Sequence, residues 1–274
     1  MLLAIEHVTT YRYDRPVRGV VQSHRLTPSA CDSQRVLSWD VAVTDGVRGG
    51  GFRDGTGDWV QAWTVTGPLS EIAVTVTGLV ETTDTAGILR GMKEKVAPVA
   101  WLTPTPATRP DIAIQELAMA ARSAGEPLAQ AHAMNEAVAD AIAWKPGTTR
   151  AGTTAAEALA LGEGVCQDHA QVLASAARVA GFPARYVAGY VLLDEGSVAQ
   201  DAAHAWAEIW IEGLGWVGFD ASNRCCPDAR YVRVGSGRDA QDAAPIRGTT
   251  RGGAGVERMD VQVRVAEAQS QSQQ

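Results

Sequence analysis

The sequence predicts an α+β protein, with an N-terminal antiparallel β-sandwich-like domain followed by helices packed on a second antiparallel sheet. Three observations carry that expectation. Residues 1–85 hold four runs with alternating or β-branched residues, separated by Gly-, Asp- and Pro-bearing turns. Residues 111–180 are rich in alanine and repeat apolar residues at helical spacing. Residues 184–234 return to runs of Val, Tyr and Trp. A chain of 274 residues has the length for about two such domains, each with its own core.

In the first domain the expected strands are 4–13, 35–44, 59–66 and 72–80. Asp45-Gly46, Gly49-Gly50-Gly51, Asp54-Gly55 and Gly67-Pro68 read as the turns between them. Trp39, Trp59 and Trp63 are expected to fill its core. His24 and Arg25, just before a turn at Pro28, read as an ordinary strand-end pair. Residues 86–110 form a linker, where Pro98, Pro104, Pro106 and Pro110 forbid a continuous helix.

The second domain is expected over 111–266. Asp111 caps a helix through residue 122, and a second runs over 126–144. Thr154, with Glu157 three residues on, has capping-box spacing for a short third helix. A strand at 231–234 and the alternating Val261, Val263 and Val265 are expected to complete the second sheet. The polar residues 267–274 are expected to be disordered.

Composition narrows the function. With 46% hydrophobic and 20% charged residues, the chain has the make-up of a soluble globular protein. A net charge of -7 argues against nucleic acid or an anionic membrane as partner. The start, Met-Leu-Leu-Ala-Ile-Glu-His, is too short an apolar run for a signal peptide and lacks a basic leader. The expected location is the cytoplasm, where cysteines stay reduced. Of the four cysteines, the neighbours Cys225 and Cys226 could pair or contribute to a metal site, and Cys31 stands alone. No CxxC or HxxxH spacing accompanies them, so they read as incidental thiols, with no metal and no cofactor expected.

The chemistry-bearing stretch is 162–223. Gly162 and Gly164 permit a turn, and a helical pattern begins straight after it, so Cys166 falls in the first turn of a buried helix. Free N–H groups and the dipole favour a thiolate there, although a small buried cysteine would fit the same position. After a strand over 184–193 and a short acidic loop, 203–211 and 216–220 read as a hairpin. His204 lies near its entry and Asp220 near its exit. A two- or four-residue turn would put them on opposite faces; an odd turn or a bulge, for which Gly213 and Gly215 are suited, puts them on one. The residues thus read as a thiol acyl-transfer site in which His169, one turn beyond Cys166, is the rival base.

Four motifs in this stretch are G-x-G-V-C-Q-D, G-F-P-A-R-Y-V-A-G-Y, H-A-W-A-E and G-W-V-G-F-D-A-S-N. In that order they resemble the bacterial transglutaminase-like family of the papain-like superfamily. The run from Val234 to Gly248 and the N-terminal His24-Arg-Leu-Thr-Pro28 are similar to it as well. The resemblance implies Cys166 as nucleophile, His204 as general base and acid, and Asp220 as the residue orienting His204. It implies a protein or peptide substrate, attacked at a Gln side-chain amide or a peptide bond. His169 departs from it, standing where the family carries an aromatic such as Phe. Two other readings are a non-catalytic binding module on this fold and a metal site built from Cys166, His169 and His204. A second oxyanion donor is not readable beyond Trp144, which also suits a core position.

Overall fold

Alternation builds the first sheet. Along β1 (Leu2–His24) the residues Leu3, Ile5, His7, Thr9 and Tyr11 are buried while their neighbours are more exposed. The strand continues past Asp14-Arg15-Pro16, where an end was expected. Its register against β4 (Trp59–Thr82) shifts between Arg12 and Val17, so Pro16 sits at an irregularity, where a missing N–H costs no ladder bond. β4 likewise runs unbroken through Gly67-Pro68. β2 (Gln34–Val43) flanks the later half of β4, and β3 (Gly46–Arg53) flanks its earlier half. The two halves of this bent ribbon pack on one core that includes Tyr11, Val20, Val41, Trp63, Val65 and Val74.

The triple glycine is a strand rather than a turn. A Cβ on Gly51 would come within 2.4 Å of the Trp59 ring, so the glycines leave room for that indole against β3. Trp59 is therefore half-buried beneath Arg53 and outside the core that Trp63 fills. Trp39 is half-buried and donates its indole N–H to the Leu26 carbonyl. His24 is an ordinary strand-end residue bonded to Gln22, whereas Arg25 reaches the Asp242 carbonyl of the second unit.

The computed structural model describes residues 1–193, 203–252 and 255–268. Most of the acidic loop and of the polar tail lies outside the described residues. Four helices form the next layer: α1 (Ile112–Ala121), α2 (Pro127–Ala141), α3 (Ala155–Leu161) and α4 (Cys166–Val179). Asp111 accepts from the Ile114 N–H, and Thr154 and Glu157 form a reciprocal capping box. α2 stops before Trp144, which lies instead in β5 (Ala143–Trp144), paired with β6 (Glu163–Gly164). α4 is buried along most of its length. Its small residues Ala174, Ala176 and Ala177 let the other helices and the sheet approach closely, and Leu173 meets Ile209 and Phe219 in one core.

The second sheet is antiparallel, in the order β10 (Tyr231–Gly237), β7 (Ala184–Val191), β8 (Ala203–Ile211), β9 (Gly215–Phe219). The irregular stretch before α1 adds a further edge, with an Ile88–Val217 bridge and a Gly218 N–H bond to the Gly87 carbonyl. The last two strands do not complete this sheet. β11 (Ile246–Arg251) and β12 (Glu257–Glu267) return to the first sheet and pair with the two halves of β1. Alternation at Val261, Val263 and Val265 specifies a strand but not the edge it joins. The two units share a buried charge cluster: Glu208 on β8 is gripped by Arg185 and Arg233, and Arg233 also bonds Asp58 of the first domain. No helix among the described residues is long and apolar enough to cross a membrane.

Candidate active site

The site begins at the turn into α4. Gly162 ends α3 in the left-handed region, at φ 67°. A Cβ on Gly164 would lie 2.7 Å from the Asp168 carboxylate, so this position needs glycine. Asp168 closes the turn by accepting from the Val165 N–H (2.9 Å) and the Thr149 hydroxyl (2.6 Å). Cys166 is then the first helical residue, half-buried. Its own N–H and that of Gln167 have no acceptor among the described residues. Unpaired N–H groups and the helix dipole together make this position favourable for an anion.

The hairpin turn is odd. Ile211 pairs with Gly215 across Glu212-Gly213-Leu214, and Gly213 and Gly215 both adopt positive φ. Ala207 pairs with Phe219, so the next position places Trp206 opposite Asp220, and His204 and Asp220 share a face. There His204 Nε2 donates to Asp220 Oδ2 at 2.5 Å. Both are buried. Burial is the largest influence on His204 and disfavours its charge, but the Asp220 carboxylate and the Cys166 sulfur outweigh it and hold the imidazole up at about 10. With Nε2 committed to Asp220, Nδ1 is the ring nitrogen left to serve Cys166.

Asp220 is held in turn. Its Oδ1 accepts from the Ser222 hydroxyl (2.7 Å) and the Asn223 N–H (3.2 Å). Its Oδ2 accepts from the Asn223 amide and from the Tyr231 hydroxyl, both at 2.8 Å, beside His204. The Asn223 amide also lies 3.3 Å from His204 Nε2, but two donors cannot bond each other, so its hydrogen goes to Asp220. Burial opposes the Asp220 charge, yet His204 and these donors hold its pKa down at about 2.

The other sequence candidates fall elsewhere. His169 is buried, with Nδ1 2.9 Å from the Val165 carbonyl and Nε2 2.9 Å from the Ile142 carbonyl. Each nitrogen thus faces a backbone carbonyl rather than the thiol, and a neutral ring donates to one of the two. The Trp144 ring lies against His169, and its buried indole N–H has no acceptor among the described residues. Cys225 bonds the Tyr231 hydroxyl, and Cys226 packs on the helical core. Among the described residues no group of three or more His, Cys, Asp or Glu side chains is placed to hold a metal. Cys166 packs beside Tyr186, Ala188 and Ala243, which also line a cleft of about 680 Å³ with Gln167, Gln171 and Asp239.

Sequence reasoning missed Tyr231 and the support from Ser222 and Asn223. The last two carried a readable signal, since polar side chains two and three residues after an Asp can fold back onto its carboxylate. Tyr231 carried none. It reaches Asp220 from the far edge strand of the sheet, as one more aromatic residue in an apolar run.

Comparison with known proteins agrees with this architecture. Residues 3–81 match the bacterial transglutaminase-like N-terminal region, and residues 115–221 match the transglutaminase-like superfamily. The chain thus carries a transglutaminase-like superfamily core over residues 115–221, behind a bacterial transglutaminase-like N-terminal region. An uncharacterized protein of Mycobacterium leprae is 29% identical over 282 residues, covering 96% of this chain and 98% of the relative. A protein-glutamine gamma-glutamyltransferase of Pseudomonas aeruginosa is 33% identical over 125 residues, 39% of this chain and 19% of that protein. A crystal structure from Cytophaga hutchinsonii, provisionally described as a cysteine protease, superposes with a TM-score of 0.71 at 21% identity. It covers 98% of this chain and 92% of that one, and bears on the fold alone.

Proposed function

We propose that this protein is a cysteine acyl-transfer enzyme that attacks a Gln side-chain amide or a peptide bond of a protein or peptide, with Cys166, His204 and Asp220 as its triad. The observation that carries the reading is the His204–Asp220 pair, formed on one face of an odd-turned hairpin with the free imidazole nitrogen left for the Cys166 sulfur. In the resting state the thiolate is paired with the imidazolium. Cys166 Sγ attacks the carbonyl carbon, and the developing oxyanion is met by the N–H of Cys166. His204 gives its proton from Nδ1 to the departing nitrogen, the C–N bond breaks, and a thioester remains on Cys166. His204, now neutral, takes a proton from the incoming amine or water, which attacks the thioester and releases the sulfur. An amine gives transamidation and water gives deamidation or proteolysis. Asp220 fixes the tautomer that keeps Nδ1 free to accept.

The test is to incubate the protein with a library of Gln-containing peptides, with and without a fluorescent alkylamine, and to analyse it by intact mass spectrometry. A peptide adduct on Cys166 that is cleaved by hydroxylamine and absent from Cys166→Ser is the expected result. If neither adduct nor released ammonia, amine product or cleaved peptide is found, the reading fails.

A further inference from the structure

We propose that Tyr231 is a positioning residue of this site, acting through Asp220, and that the N-terminal domain holds it in place. The inference rests on the acyl-transfer reading above. Its geometry is direct. The Tyr231 hydroxyl donates at 2.8 Å to Oδ2, the oxygen that faces His204, and itself accepts from the Asn223 amide at 3.1 Å. Its ring stands edge-on to His204 and to Trp206, with centroids 5.9 and 5.5 Å away. It therefore constrains both partners of the pair, the carboxylate by a hydrogen bond and the imidazole by contact. A carboxylate shared by several donors keeps its charge and its rotamer, which is what an orienting acid requires.

Tyr231 opens β10, an edge strand of the second sheet. An edge strand has unpaired backbone groups, and here the N-terminal domain supplies their partners. Two residues beyond Tyr231, the Arg233 N–H donates to Gln34 Oε1. The Arg233 carbonyl accepts from the Gln34 amide and the Ser29 N–H. The Arg233 guanidinium is buried between Asp58 and Ser29 of the first domain and Glu208 of the second. The core region matched as transglutaminase-like ends at residue 221, so both Tyr231 and the clamp on its strand lie outside it.

The experiment is iodoacetamide alkylation of Cys166 from pH 4 to 9, followed by intact mass, in wild type, Tyr231→Phe, Asp220→Asn and the double variant. Tyr231→Phe removes one oxygen and leaves the ring packed; a thermal melt checks that the fold survives. Losing a donor to the anionic carboxylate makes Asp220 easier to protonate. With the carboxylate less firmly held, His204 is oriented less well, and Cys166 of Tyr231→Phe should be alkylated about tenfold more slowly between about pH 5 and 7. In the Asp220→Asn background the same change should have no further effect, because Tyr231 acts through the carboxylate. An alkylation rate in Tyr231→Phe equal to that of wild type over this range, or an equal slowing in both backgrounds, overturns the proposal. A wild type whose Cys166 reacts only above pH 8 overturns the acyl-transfer reading itself, and this inference with it.

Discussion

Replacing Asp220 by Asn tests the proposed triad most sharply, because the shape is kept while the charge is lost. The rise of His204 from 6.5 to about 10 corresponds to about 5 kcal/mol of preference for the imidazolium, at about 1.4 kcal/mol per pH unit. Without the carboxylate the chief support of the imidazolium is gone, while burial, the largest single influence, still opposes its charge. The imidazolium then ceases to be the resting form at pH 7. An amide nitrogen facing His204 Nε2 would also need an acceptor there, which moves the ring hydrogen to Nδ1 and turns a donor towards the thiol. A loss of about 5 kcal/mol is a rate loss of roughly 10⁴, the size of the corresponding change in a serine-protease triad. Stability gives a second readout. A pKa raised on folding adds stability that is full below pH 6.5 and lost as pH climbs through about 10. Asp220→Asn should flatten that dependence. The assay combines turnover of an adduct-forming peptide with Cys166 alkylation across pH, and the variant thiol should react only as pH approaches the ordinary range near 8.5. Turnover within tenfold of wild type, with low-pH alkylation intact, would remove Asp220 from the mechanism.

Cys166 should be the fastest of the four thiols with iodoacetamide at pH 6. Cys31 and Cys225 are raised chiefly by burial, and burial pushes Cys226 up to about 11; faster labelling of any of these by peptide mapping would refute the choice of nucleophile. His204→Ala should abolish acylation while His169→Phe keeps activity within about tenfold, since each His169 nitrogen faces a backbone carbonyl and a tenfold rate change is only about 1.4 kcal/mol; the reverse pattern in the peptide assay would exchange their roles. Burial holds His7 and His24 down at about 4, so the unfolded chain binds protons that the folded one refuses once pH falls below 6.5. Stability should therefore fall on acidification from pH 6.5 to 4, by up to about 3 kcal/mol for each histidine, and urea midpoints of a His7→Gln/His24→Gln variant should lose much of that slope. Glu208→Gln should cost about 3–5 kcal/mol by leaving Arg185 and Arg233 undercompensated in the interior, read as a lower urea midpoint.

Much of the fold was legible because its signals are local. The α3 capping box, the Asp111 cap and the start of α4 at Cys166 follow from side chains within three or four residues of the feature they specify. Strand periodicity was equally plain for β7, β8 and β10. What misled was pairing over distance. Gly49-Gly50-Gly51 reads as a turn on intrinsic preference, and only the Trp59 ring on the partner strand shows why glycine is needed within β3. Val261, Val263 and Val265 announce a strand, yet their partners are residues 5, 7 and 9, more than 250 positions earlier. Nothing in a period of two distinguishes one free edge from another.

The candidate site divides along the same line. A helix start places Cys166, and three connecting residues between Ile211 and Gly215 place His204 on the face of Asp220; both depend on short spans of chain. What fixes Asp220 is partly long-range, because Tyr231 reaches it across the sheet from a strand that Gln34 and Ser29 bond at Arg233, two residues on. Ser222 and Asn223, straight after the hairpin, already bond both carboxylate oxygens, and Tyr231 adds a donor from the far edge strand. From the N-terminal unit, whose sequence shows no chemistry, Gln34 and Ser29 bond the open edge of β10 and Asp58 meets the buried Arg233 beside it. The same contacts that join the two units thus stiffen the strand from which Tyr231 holds Asp220, the acid of the proposed triad, and this gives a physical reason for the second unit to fold against the first.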